Sequence, residues 1–545
     1  MNFGRSLVLA ALALHAPTCA ADELTVVAPA KETVSNWLEA TTNHFVVVAQ
    51  MDEGQLRKRA ARLERLHALL SSFAPARSDN KLLIYMTDGI DPIQRMAHMN
   101  NIAGYYVPTA MGAFAVSPKF IQNAVSGWTP EVILFHEYTH HMLLQSNDQY
   151  FPGWATEGLA ELFATTRIKD TGEIEVGAAN QARARDMFAM NRWSMEKLLR
   201  SDAIKIDEAE TIEKYTRGAL LVHCLLMNKQ RAPQFSKFIS AINRGTEPVE
   251  AGRQAFGDLG AMDRALDAYR RQARVPSVVY KPEQFTLDSS VTVRNLAVDE
   301  AAALPLVLES ESDEDRKHTA DLVPSARRVG ARYPNSVVVQ QAVGQVEYEA
   351  GNFAEAAVAV DRALAIDPAN VMALLYKGRL LGQKAMASKS PADWSAARAQ
   401  FIRANRINPN HPWPFILLFD SYAAAGQEPS AGALTGLRRA VVLAPQDEGV
   451  RVRMALQQIR ENDLAGARMM IAPVAFSPHG KADAPAAKFY PILAAGGETS
   501  TLLAKAVEIK LPVNSFFPKK PEEKKNGAAR ADRSESTIGK RIGSR

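Results

Sequence analysis

The residues most able to do chemistry lie in one run, Val132-Ile133-Leu134-Phe135-His136-Glu137-Tyr138-Thr139-His140. The apolar residues around it predict a buried helix that ends near Leu144. Helix positions four apart share a face, so His136 and His140 project side by side and can share one metal ion. Glu137 lies one step further round, where a carboxylate can take a proton from a water that the metal activates. Two imidazoles and a carboxylate in this pattern are the signature of a zinc site that hydrolyses an amide. Burying His, Glu and His together without a ligand would be costly, which strengthens the metal reading.

Catalytic zinc takes three protein ligands and leaves one position open. The next acidic residues in a helical pattern are in Pro152-Gly153-Trp154-Ala155-Thr156-Glu157-Gly158-Leu159-Ala160-Glu161. Pro152 and Gly153 mark a helix start, and Glu157 stands 17 positions after His140. Gly158 has no side chain, so a neighbouring helix can approach there. Glu161 follows one turn after Glu157 and suits the acceptor to which a ligating histidine donates its second ring nitrogen.

HEYTH followed by WATEGLAE resembles the gluzincin branch of zinc peptidases, in the form described as peptidase MA-like. The resemblance spans about residues 35–275 and is closest over 130–165. It implies Glu157 as the third zinc ligand, with Trp154, Gly158 and Ala160 matching the same segment. It also implies a downstream Tyr or His that stabilises the oxyanion. Tyr215, in Glu213-Lys214-Tyr215-Thr216-Arg217-Gly218, is the candidate, and an ordinary helix-start tyrosine is the competing reading. His223, inside an apolar helix, reads as a core histidine. His141 points about a quarter turn from His140 and reads as a residue behind the site or on the surface. The segment Gly112–Val116 reads either as a plain structural strand or as a sheet edge near the site, where a substrate backbone could add.

The elements that position these residues follow from periodicity. Strands are expected at Asn43–Gln50, Lys81–Thr87 and Gly112–Pro118, with a helix over Glu53–Phe73. From Pro130 to about residue 274 the pattern is helical, broken by a polar hairpin at Asp170–Val176. Strands first and helices after suggest an α+β domain, and the resemblance implies that this domain is a zincin-like peptidase. Further on, Gly344, Gly351, Phe353, Ala356, Ala363, Leu364 and Pro368 match the spacing of a tetratricopeptide unit. Weaker copies carry Gly378, Trp394, Ala397, Phe401, Ala404 and Pro409, then Tyr422, Gly426, Ala433, Ala440 and Pro445, with an insertion near Met386–Pro391. This resembles an all-α tetratricopeptide solenoid. The expected divisions are a signal peptide over 1–20, the peptidase domain over 21–275, a connector over 276–335 and the repeats over 336–475. A C-terminal segment over 476–518 and a disordered basic tail over 519–545 complete the chain.

Composition fits a soluble globular protein, with 47% hydrophobic and 23% charged residues. The net charge of +5 is concentrated in the tail and does not argue for nucleic acid. Met1–Arg5 and the apolar stretch Ser6–Ala16 read as a secretory signal cleaved after Ala20. Export to the periplasm or the cell exterior follows. Cys19 raises a lipid anchor as the alternative, against which Ala16-Pro17-Thr18 speaks. Cys224 then stands alone in an apolar run and reads as a small buried hydrophobe. No later stretch is apolar enough to span a membrane. The expected function is a Zn²⁺-dependent peptidase acting on a peptide or protein substrate, with the repeats offering a surface to substrate or a protein partner. The alternatives are an exported scaffold with a non-catalytic peptidase-like domain, or a metal-dependent amidase acting on cell-wall material.

Overall fold

The computed structural model describes residues 34–511, apart from residues 77, 79, 101, 122–126, 146–149, 179–192, 273, 286–289, 314–315 and 478–483. The expected signal over 1–20, with Cys19, and the basic tail over 519–545 lie outside the described residues. The protein is mixed α+β, with a small sheet and many helices.

The first half runs β1 (Val34–Thr41), β2 (Phe45–Ala49), α1 (Glu53–Ser71), β3 (Leu82–Thr87), α2 (Asp91–Ala97), β4 (Tyr105–Val107) and β5 (Phe114–Pro118). It continues through α3 (Pro130–Gln145), α4 (Gly153–Ala164), β6 (Arg167–Ile168), β7 (Ile174–Val176), α5 (Met195–Leu199), α6 (Glu208–Leu226), α7 (Ala232–Asn243), α8 (Pro248–Phe256) and α9 (Leu259–Arg270). Then come β8 (Val278–Tyr280), β9 (Thr292–Ala297), α10 (Val298–Ser312) and α11 (Thr319–Arg332).

Six strands form one sheet in the order β4-β5-β3-β2-β1-β9. Strands β2, β3 and β5 are parallel neighbours, with Val47 opposite Ile84 and Ile84 opposite Ala115. Both faces of these strands are covered, which explains their nearly continuous apolar sequences. Phe45, Val47, Ile84, Met86 and Ala115 point into one core with Leu63 and Leu66 of α1, Tyr138 and Met142 of α3, and Trp154 of α4. Val48, Tyr85, Phe114 and Val116 point the other way, against Ile93 and Met96 of α2 and Leu308 of α10.

Of the two readings of Gly112–Val116, the pairing fits the plain structural strand: β3 pairs with Phe114–Pro118 on one side and β4 on the other, so Tyr105–Val107 is the edge. Residues 276–335, expected as a connector, supply strands and helices that pack on the first half. β8 completes a small sheet with β6 and β7, β9 pairs with β1, and α10 covers the large sheet. Strands of both sheets thus lie on either side of residue 275. Polar strands such as β9, Thr-Val-Arg-Asn-Leu-Ala, carry too weak an alternation to be read as sheet.

The second half continues as α12 (Val337–Glu349), α13 (Phe353–Ile366), α14 (Val371–Ser388), α15 (Pro391–Ile407), α16 (Trp413–Ala424) and α17 (Ala431–Leu443). It closes with α18 (Glu448–Arg460), α19 (Leu464–Ala475), α20 (Pro485–Ala495) and α21 (Thr499–Glu508). The helices pack as successive pairs, α12 on α13, α14 on α15, α16 on α17 and α18 on α19. Small residues allow this. A methyl group on Gly344 would sit 2.7 Å from Cγ2 of Val360, and one on Gly378 would overlap the Phe401 ring. Pro368, Pro409 and Pro445 each follow the second helix of a pair within two residues, as the spacing predicts. The insertion near Met386–Pro391 lengthens α14 by a turn, and Lys389 closes it in the left-handed region at φ 54°.

Candidate metal centre

Helix α3 is buried over most of its surface and is packed between the sheet and α4. His136 and His140 emerge on the side facing α4. All twelve residues of α4 are buried, and its orientation is tightly specified. Asp202 Oδ2 accepts from Gly153 N–H at 2.8 Å, while Asp202 Oδ1 pairs with Lys214 Nζ of α6 at 2.7 Å. A methyl group on Gly158 would lie 2.8 Å from the Gly218 carbonyl oxygen and 2.6 Å from Val222 Cγ2. The close approach expected at Gly158 is therefore present, and its partner is α6. With α6 against this face of α4, Glu157 faces α3.

The resulting cluster is compact. His136 Nε2 lies 3.1 Å from His140 Nε2. Glu157 Oε2 lies 3.6 Å from His136 Nε2, and Glu157 Oε1 lies 3.4 Å from His140 Nε2. One ligand atom from each residue falls within 4.8 Å of the others, a group that could hold a metal ion. Tetrahedral ligands at zinc distances of about 2.0–2.2 Å are about 3.3–3.6 Å apart, a range that holds both carboxylate separations, each to a different Glu157 oxygen, and lies just above the 3.1 Å between the two nitrogens. Two nitrogens and one carboxylate oxygen are also the donor set zinc accepts at catalytic sites. Glu161 Oε1 lies 3.9 Å from His136 Nδ1, the nitrogen turned away from the cluster. That is the expected side, at a separation longer than a hydrogen bond.

Glu137 is half-buried beside the cluster, and burial pushes its pKa up to about 7. A methyl group on Gly104, just before β4, would lie 3.9 Å from Glu137 Cγ, so the approach to the edge strand adjoins this carboxyl. Tyr215 is half-buried on α6, three residues before Gly218, on a helix that abuts α4. His223 is half-buried with both ring nitrogens satisfied: Nδ1 meets the Tyr269 hydroxyl at 2.8 Å and Nε2 meets the Gly177 carbonyl at 2.9 Å. Cys224 is buried.

His141 is not at the surface. It is 7% exposed, stacks on Tyr138, and places Nδ1 2.8 Å from the Tyr106 hydroxyl of β4. Burial pulls its pKa down to about 3, so it is neutral. Beneath α3 a further row of polar rings supports the helix. His67 Nδ1 lies 2.6 Å from the Tyr138 hydroxyl, His67 stacks on His44 at 3.6 Å, and His44 Nδ1 lies 2.7 Å from Glu64 Oε2. Sequence reading missed Tyr106 and His67 because their partners lie 35 and 71 residues away.

The chain matches no protein-family model and no curated protein.

Proposed function

We propose that the protein is an exported zinc metallopeptidase whose catalytic half is zincin-like and whose second half is a tetratricopeptide module. The observation that carries this reading is the triangle formed by His136, His140 and Glu157. These three residues would hold Zn²⁺, with Glu161 behind His136. Bound there, zinc would supply Lewis acidity to water and to the substrate carbonyl. Glu137, beside the cluster, takes the proton from the attacking water and delivers it to the leaving amine. Tyr215 donates a hydrogen bond to the developing oxyanion. The exposed side of β4 receives an extended substrate backbone, since it is the edge of the sheet and adjoins Glu137. Helix pairs closed by Pro368, Pro409 and Pro445 support the repeat reading. The basic start and apolar stretch of residues 1–20 support export. Among the described residues no helix is long and apolar enough to cross a membrane.

The test is metal content together with cleavage of a peptide library. About one zinc per chain and hydrolysis that disappears in Glu137→Gln support a peptidase. Zinc without hydrolysis in either protein points to the scaffold, and hydrolysis confined to cell-wall amides points to an amidase.

A further inference from the structure

The helical half reaches back to the helix that carries His136 and His140. We propose that Asp447 and Arg451, at the start of α18, are positioning residues that hold the last turn of α3 and the loop after β4. This proposal rests on the zinc reading above and adds a role for the second half at the same site.

Arg451 is 2% exposed, and its NH2 donates to the Leu144 carbonyl at 3.3 Å. Leu144 lies in the last turn of α3, four residues beyond His140, where carbonyls have no partner within the helix. A buried guanidinium is costly, and a helix C-terminus is a place where a cation is favoured. Beside it, Gln145 Nε2 donates to Gln446 Oε1 at 2.9 Å in a buried contact. Two neighbouring residues of the α17–α18 corner and α18 therefore grip the end of the helix that carries both histidines.

Asp447 uses its two oxygens differently. Oδ1 accepts from Val450 N–H at 2.8 Å and caps α18. Oδ2 accepts from Ala110 N–H at 2.8 Å, in the loop between β4 and β5. Gln446 Nε2 donates to the Thr109 carbonyl at 3.4 Å. Ala110 is 1% exposed and packs in the same apolar cluster as Trp413 and Tyr376 of the helical half. The loop is thus seated inside the second half. The loop connects to the site over a short path: Tyr106 precedes it, and the Tyr106 hydroxyl meets His141, the neighbour of His140 in the chain.

An ordinary packing interface would affect stability alone, whereas a positioning role also affects the metal. The experiment uses the full chain with Asp447→Asn and Arg451→Gln, and Arg438→Ala as a control. Arg438 pairs with Glu461 on the exposed side of the same half. The zinc dissociation constant is read by competition with a chromogenic chelator, and amide hydrogen exchange is read over 105–113 and 141–145. Expected are zinc affinity about tenfold weaker in both variants, the lower end for groups that orient metal ligands, and faster exchange in both segments. Arg438→Ala should match wild type. Unchanged zinc affinity in folded Asp447→Asn and Arg451→Gln would overturn the proposal. Should either variant fail to fold, Gln446→Ala, which removes only neutral contacts, must give the same two changes or the proposal falls. If wild type binds no zinc, the functional reading fails, while unaltered exchange in the variants would separately defeat the positioning role.

Discussion

The Nε2 atoms of His136 and His140 stand 3.1 Å apart, one helical turn from each other on α3. At that separation one ring can donate to the other only if a single proton lies between the two Nε2 atoms. A metal on both Nε2 atoms would move that proton to Nδ1 and would exclude the imidazolium form. Binding should therefore weaken, with proton release, as pH falls below about 6.5, the ordinary histidine range. Isothermal titration in buffers of different ionisation enthalpy measures the release. A binding constant that does not change between pH 7.5 and 5.5 would contradict a histidine-held metal.

Glu157→Ala should lose most of its zinc, because it removes one of three ligands. Glu161→Ala should keep zinc with affinity lowered about 10–100-fold, the usual effect of removing an outer partner of a ligating histidine. Metal content after dialysis checks both. Full occupancy in Glu157→Ala with loss in Glu161→Ala would exchange their roles.

Gly158→Ala should destabilise the protein by about 1–3 kcal/mol, the usual range for overpacking. The added methyl meets the Gly218 backbone, which cannot swing aside as a side chain would. Because α4 carries Glu157, zinc affinity should fall as well. Denaturant unfolding and chelator competition measure the two effects. No change in either would mean that α4 and α6 are less closely packed than described.

A fragment ending at residue 275 should be insoluble or bind no zinc. It lacks β8 and β9, so β7 and β1 each lose one of two neighbours and become sheet edges, and it lacks α10 over the sheet. Expression of residues 21–275 beside residues 21–511 decides this. A soluble, zinc-loaded short fragment would restore the boundary expected from sequence.

Acid should destabilise the protein partly through His67. Burial, chiefly, and the neighbouring His44 pull its pKa down from 6.5 to about 4. Above about pH 6.5 it is neutral in both folded and unfolded chains and contributes no pH dependence. As pH falls from 6.5 towards 4 the unfolded chain takes up a proton that the folded chain resists, so stability is lost across that window. In His67→Gln the loss between pH 7 and 5 should be smaller. Urea midpoints at several pH values test this, and identical slopes would contradict it.

Much of the cluster was legible because its information is local. His136, Glu137 and His140 lie within one turn of helix, and Glu157 with Gly158 opens the next helix. The parallel strands were legible because burial on both faces makes them apolar throughout. What escaped was non-local. β4 is three residues long, β9 is polar and pairs with a strand more than 250 residues earlier, and the seating of Ala110 on Asp447 joins residues 337 apart. Neither periodicity nor spacing encodes such pairings.

The central claim is that Glu137 moves a proton in hydrolysis at this site. Glu137→Gln preserves size and packing but cannot accept a proton. The decisive measurement is turnover of a cleaved peptide by wild type and Glu137→Gln, each with its zinc content determined. The account predicts equal zinc in the two proteins and a rate lower by about 10²–10⁴-fold in the variant. Equal rates with equal zinc would contradict it.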